Sequence, residues 1–284
     1  MLARMGELLA ECARSGGAVG AFNFATLESG RAAVEAAEET RCPFVLQYAP
    51  AHERYVPLDM AAPIMLQLAK AAKVPVAVHL DHGTDFALCR HALELGFTSV
   101  MIDSSTLPFE ENVAAATAVV AEARRHGADV EAELGSMPHN FNGELGDYSP
   151  EEFYTRPDDA ASYVERTGVD ALAISFGTVH GIYKAKPRLS LEVIERVSEA
   201  TKGMPLVMHG GSGLSDPDYR GAISCGIRKI NYYTYGALAG GRAVVALAKE
   251  KGDGLQFHDV AFAATEAMRA DAARVMRLFS MKEA

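Results

Sequence analysis

Apolar and polar positions along this chain switch between two periods, and the switching proposes a fold. A segment with helical spacing runs to a glycine, and a short apolar, β-branched run comes next. The unit recurs as "HALELGFTSVMIDSS", "EARRHGADVEAELG", "YVERTGVDALAISFG", "SEATKGMPLVMHGG" and "AISCGIRKINYYT". Gly96, Gly127, Gly168, Gly203 and Gly226 stand where a helix would end in a left-handed residue. The run after each glycine is apolar and β-prone, as in a strand covered on both faces. Further strands are expected at 18–24 ("AVGAFNF"), 42–49 ("CPFVLQYA") and 74–82 ("VPVAVHLDH"), which with the five units make eight.

Between the strands, "TLESGRAAVEAAEET" and "LPFEENVAAATAVVAEARRHG" are the clearest helices, the second opening near Pro108 and closing at Gly127. "MLARMGELLAECARSGG" reads as an amphipathic helix at the N-terminus. "DVAFAATEAMRADAARVMRLF" reads as another at the C-terminus, packed on its own barrel or on a neighbour. Eight β–α units predict the α/β class and a closed (β/α)8 TIM barrel with an N-terminal helix and a C-terminal helical extension. One domain spanning 1–284 is expected, since no linker or low-complexity tract divides the chain. An open doubly wound sheet is disfavoured, because no GxGxxG turn follows the first strand. The one long irregular stretch, 135–157, directly follows a strand end and has the length of a functional lid.

Composition narrows the function. The chain has 284 residues, 49% of them hydrophobic and 23% charged, which suits a soluble enzyme with a full-sized core. Its formal charge is −10 and it has no Lys/Arg-rich run, which argues against a nucleic-acid or anionic-membrane partner. An anionic small substrate stays compatible, because backbone amides and a metal bind phosphate locally. The apolar stretches fall well short of the ~20 residues of a membrane span. The N-terminus lacks the continuous apolar core of a secretory signal. Cys12, Cys42, Cys89 and Cys225 are scattered without a CxxC pair, as thiols in a reducing compartment are, and a cytoplasmic location is expected.

Titratable residues collect at the C-terminal ends of the proposed strands, the rim that carries catalytic groups in a barrel. The third strand ends in His79, Asp81 and His82, the fourth in Asp103 and the fifth in Glu131 and Glu133. The sixth leads through "SFGTVHG" to His180, the seventh ends in "MHGGSG" with His209, and the eighth in "KINYYT". His82, His180 and His209, each at or just beyond a strand end, are assigned as a metal triad. Imidazole nitrogen is the commonest zinc ligand, and a catalytic zinc needs three protein ligands and an open position. Glu133 is a fourth or second-position ligand, with Asp103 ranked behind it; the other reading is that both acids orient the ligands. His79 is assigned to the interior, in support of the site. His52, His91, His126, His139 and His258 are assigned to the surface or to structural roles. Asp81 should diverge from a metal held by its neighbour and act as the proton-transfer group, or else fix a ligand histidine. Gly181, Gly210, Gly211 and Ser212 would let backbone N–H groups approach an anion closely, with Asn231 and Thr234 completing the cradle.

The ordered set "VHLDHG", "MIDSS", "VEAELG", "GTVHGIY", "MHGGSGL" and "KIN" resembles the class II, metal-dependent ketose-bisphosphate aldolases, the fructose- and tagatose-bisphosphate type, over essentially the whole chain. The resemblance implies a homodimeric or homotetrameric barrel with Zn²⁺ on His82, His180 and His209 and with Asp81 as acid/base. It implies a dihydroxyacetone-phosphate site formed by Gly181, Gly210 to Ser212, and Asn231, Tyr232, Tyr233 and Thr234. A monovalent cation (Na⁺ or K⁺) near that phosphate is common in relatives. Asn23 matches a family asparagine near the far end of the substrate, and Glu144 is the counterpart of the mobile-loop acid. The implied reaction is reversible cleavage of a phosphorylated ketose to dihydroxyacetone phosphate and an aldehyde, with zinc stabilising the enediolate.

Departures from the family pattern bear on the aldehyde half. This chain reads "NYYTY" where relatives place an acid after Asn-x-x-Thr, and it has Ala49 where fructose-type members often carry Ser. Arg54, Lys184, Lys186 and Arg188 are the basic candidates for a distal anion. Two other readings are weighed beside the aldolase: a metal-dependent sugar-phosphate epimerase, and a non-catalytic barrel subunit of an aldolase complex.

Overall fold

Eight parallel strands close into a barrel in chain order, each paired with the next and the last with the first. They are β1 (Val19–Asn23), β2 (Phe44–Tyr48), β3 (Val76–Gly83), β4 (Ser99–Ile102), β5 (Asp129–Leu134), β6 (Ala171–Ile174), β7 (Leu206–Met208) and β8 (Ile227–Tyr232). The protein is seen in a computed structural model that describes residues 1–135, 150–183 and 187–281. The expected (β/α)8 architecture is present, and the strands read from sequence fall in place with ends shifted by a residue or two.

The helices are α1 (Met5–Ser15), α2 (Leu27–Thr40), α3 (Leu58–Ala71), α4 (Phe86–Glu94), α5 (Phe109–His126), α6 (Pro157–Thr167), α7 (Leu191–Ala200), α8 (Asp216–Cys225), α9 (Thr234–Lys251) and α10 (Phe257–Phe279). Short polar side chains start several of them. Thr26 accepts from the Ser29 N–H, Asp85 from Leu88 and Ser215 from Asp218, each satisfying a donor that the first turn leaves without a partner. The five glycines marked as helix stops all have positive φ.

Strand alternation divides the core in two. Outward residues such as Val76, Val78 and Leu80 of β3 pack against the helices in one large cluster. Inward residues Val19, Ala21, Val45, Ala77, Ala171, Ala173 and Val207 form a second, closed from below by Met5, Leu8, Leu9 and Cys12 of α1. The amphipathic N-terminal helix is therefore the plug of the barrel floor, and the open end lies at the strand C-termini.

The C-terminal helix packs on its own barrel. Ala272, Ala273, Val275, Met276, Leu278 and Phe279 of α10 are buried, and Glu39 on α2 bridges Arg269 and Arg277. Phe257 and Phe262 at its start are exposed. Of the irregular stretch 135–157, residues 136–149 lie outside the described residues, and with them the lid expectation and His139. Among the described residues no helix is long and apolar enough to cross a membrane.

Candidate active site

On β3 the inward positions are Ala77, His79 and Asp81, so strict alternation would send His82 outward. It does not go there. The pairing register with β4 shifts between Leu80 and Gly83, and His82 takes a left-handed φ of 51°. A bulge re-aims one side chain, and a non-glycine residue held in this region stores roughly 1–3 kcal/mol of strain. His82 thereby joins His180, from the loop after β6, and His209, just past β7. Ring centroids lie 4.6 Å apart for His82 and His209, 5.2 Å for His82 and His180, and 5.9 Å for His180 and His209. One nitrogen from each ring falls within 4.8 Å of the others.

Neighbouring carboxylates select which nitrogen two of the rings offer. His82 Nδ1 is 2.7 Å from Asp103 Oδ2, which leaves Nε2 for the mouth. His209 donates from Nε2 to Glu131 Oε1 at 2.9 Å, which leaves its Nδ1 lone pair. That Nδ1 is buried without a hydrogen bond, 3.4 Å from Glu133 Oε2, which also lacks one. A cation between them would satisfy both, and nitrogen and oxygen donors in this number fit zinc. The electrostatics agree. Burial pulls the His82 imidazole down, but the Asp81, Asp103 and Glu133 carboxylates outweigh it and leave it raised to about 9, so the position favours positive charge. Burial, with Asp103 adding repulsion, pushes the Glu133 carboxyl up to about 8. Burial would likewise raise Asp103, yet its bond to His82 holds it well below the usual carboxylate range. Glu133 and Asp103 also form a second donor set with His82.

Asp81, 3% exposed, is held from two sides. Asn231 Nδ2 donates to Oδ1 at 2.9 Å and Gln47 Nε2 to Oδ2 at 3.1 Å. Gln47 also donates to Asn23 Oδ1 at 3.0 Å, and Asn23 Nδ2 lies 3.2 Å from His52 Nε2. A continuous chain of hydrogen bonds thus runs from the carboxylate to His52. Of the two readings of His52, surface or structural, the surface one is excluded. It is buried, its ring packs 4.8 Å from that of Tyr233, and it lines the mouth with Asp81 and His82. Its sequence context, "APAHERY", carries no signal of this. Gln47 was legible and missed: it is the one polar residue in "FVLQY", and β1–β2 pairing sets it directly opposite Asn23.

The expected cradle residues Gly181, Gly210, Gly211, Ser212, Asn231, Tyr233 and Thr234 line one opening with Asn23 and Asp81. Gly210 has a φ of 63°, and a Cβ there would run into the Val179 carbonyl oxygen. At Gly211 a Cβ would stand 2.9 Å from the Asn231 carbonyl oxygen, so close packing against the protein's own backbone excludes a side chain at both sites. The Tyr233 N–H donates to Ser212 Oγ at 2.9 Å, and α9 starts at Thr234 with no side-chain cap, its N–H groups available to an anion. Tyr232 is corrected in part. It borders the opening, but its ring packs outward near Phe22 and Phe279 and its hydroxyl donates to Asp271 at 2.8 Å.

His79 is interior, as expected, with Nδ1 2.9 Å from Ser99 Oγ. His91, His126 and His258 pair with nearby acids outside the mouth. Arg54 stacks on Tyr55 and does not line the opening. Glu144, Lys184 and Lys186 lie outside the described residues.

A family model described as "Fructose-bisphosphate aldolase class-II" matches residues 3–284. The chain belongs to that family. It is a class II aldolase, a carbon–carbon lyase. The aldolase is 42% identical over 247 residues to the "Probable fructose-bisphosphate aldolase" of Bacillus subtilis (strain 168), covering 86% of this chain and 85% of that protein. It is 40% identical over 248 residues to the fructose-bisphosphate aldolase of Staphylococcus aureus (strain N315), with coverage of 86% and 85%. Among solved structures it resembles the YdjI aldolase from Escherichia coli K12, with a TM-score of 0.86, 33% identity, and coverage of 98% and 97%.

Proposed function

We propose that the enzyme reversibly cleaves a phosphorylated ketose to dihydroxyacetone phosphate and an aldehyde, with zinc at His82, His180 and His209 and with Asp81 as acid/base. The observation that carries this reading is the placement of Asp81, clamped by Asn231 and Gln47 in the opening that His82 and His180 also line. A zinc ion bound there would supply a Lewis acid that polarises the substrate carbonyl.

The chain's own groups do the rest. Both Asp81 oxygens keep lone pairs beyond those used by the two amides, so the carboxylate can take the C4 hydroxyl proton as the C3–C4 bond breaks and return it in condensation. The Gly210–Ser212 turn and the start of α9 offer backbone N–H groups to the C1 phosphate. Asn23 and His52 line the same opening, with the His52 ring against Tyr233, and are offered to the rest of the substrate. The proton at C3 falls to a loop acid, Glu144 by the family resemblance.

The names of the relatives make fructose bisphosphate the first substrate to try. A panel of ketose mono- and bisphosphates with coupled triose-phosphate detection, with and without chelator, tests the reading. Chelator-sensitive release of dihydroxyacetone phosphate is expected. Interconversion of isomers without triose-phosphate release would replace it with the epimerase.

A further inference from the structure

One layer below the mouth the barrel interior is charged instead of apolar. Three strands each carry a residue of the site and, two positions earlier on the same inward face, a partner beneath it: Asp81 over His79, Glu133 over Glu131, and Asn231 over Lys229. Glu131 and Lys229 are both fully buried. Lys229 Nζ lies 2.8 Å from Glu131 Oε2, while Glu131 Oε1 accepts from His209 Nε2 at 2.9 Å. The donor atoms of His79, Asp81 and Glu131 lie within 4.8 Å of one another, a set that would otherwise suit a cation, and the Lys229 ammonium already supplies the positive charge there.

We propose that Lys229 is a positioning residue for the metal site: its ammonium anchors Glu131, and Glu131 fixes the His209 ring with Nδ1 turned toward His82 and His180. The inference rests on the metal reading above. A ligand histidine whose second nitrogen is tied to a carboxylate is held in one tautomer and orientation. In a water-free interior that carboxylate needs its own counter-charge and anchor. With Oε1 on His209 and Oε2 in ion-pair contact with the ammonium, the glutamate is held in place beneath the ring. Without the lysine, the nearest donor to Oε2 is His79 Nε2 at 3.6 Å, too long for a hydrogen bond, and the side chain can swing away from His209.

Zinc affinity, measured by competition with a chromophoric chelator, tests this independently of turnover. Wild type, Lys229→Met and the charge-neutral Lys229→Met/Glu131→Gln are compared, with Ser99→Ala as a control that removes a polar contact in the same layer without touching Glu131. Both Lys229 variants are expected to bind zinc about 10–100-fold more weakly, as for other lost outer-shell partners, and Ser99→Ala as wild type does. If the unpaired charge of Lys229→Met prevents folding, the double variant is read against Glu131→Gln alone, and equal zinc affinity in those two overturns the proposal. Wild-type affinity in any folded Lys229 variant overturns the proposal, as does an equal loss in Ser99→Ala. A wild-type chain that binds no zinc overturns the metal reading itself, and this inference with it.

Discussion

Asp81 and His82 are consecutive residues on one strand, and both side chains enter the same barrel mouth. Asp81 arrives by ordinary alternation and His82 by a left-handed kink where the β3–β4 register shifts. The kink sets the Asp81 carboxylate directly beside an imidazole that faces two others.

The carboxylate should be separable from the metal. Asp81→Ala is expected to fold, retain zinc and lose on the order of 10²–10⁴-fold in kcat. Metal content by atomic emission and steady-state kinetics on the same preparation check it; near-wild-type turnover would remove Asp81 from the mechanism.

The kink at His82 should discriminate among substitutions by backbone preference. In metal-free protein, where ligation no longer contributes, His82→Val should be less stable than His82→Asn by about 1–2 kcal/mol, because asparagine visits the left-handed region and a β-branched residue resists it. Urea denaturation of the two variants gives the difference, and equal midpoints would mean that position 82 is not left-handed.

Removing the metal should loosen the whole barrel as well as silence it. A ligand present at a thousand times its dissociation constant adds about 4 kcal/mol to the folded state. Chelation is therefore expected to lower Tm by several degrees and abolish cleavage, with both restored by zinc. A Tm that does not respond to chelator or to added zinc would contradict the triad assignment.

His52 should matter to the substrate and not to the metal. His52→Ala deletes the ring that meets Asn23 and packs near Tyr233. Losing one neutral hydrogen bond predicts a roughly 2- to 12-fold fall in kcat/KM, with zinc content unchanged. Kinetics indistinguishable from wild type would return His52 to a purely structural role.

Much of this was legible along the chain. The switch between helical and strand periods located the eight strands and the helices between them, because side-chain spacing reports which faces are buried. The three imidazoles were legible because each sits at or just past a strand end, and a closed barrel gathers strand ends on one rim. Asn231, Gly210 and Gly211 line the same opening for the same reason.

What the linear order did not reveal depends on contacts between strands far apart in it. Asp81 meets Asn231 across 150 positions and His209 meets Glu131 across 78, so the partners of each exist only once the barrel closes. His52 reaches the site through Asn23, Tyr232 turns its ring outward although its neighbours line the opening, and Lys229 finds its counter-charge on β5. Alternation is a local property and assigns a face to a regular strand. Barrel closure, and the bulge that breaks alternation at His82, determined which side chains share that space.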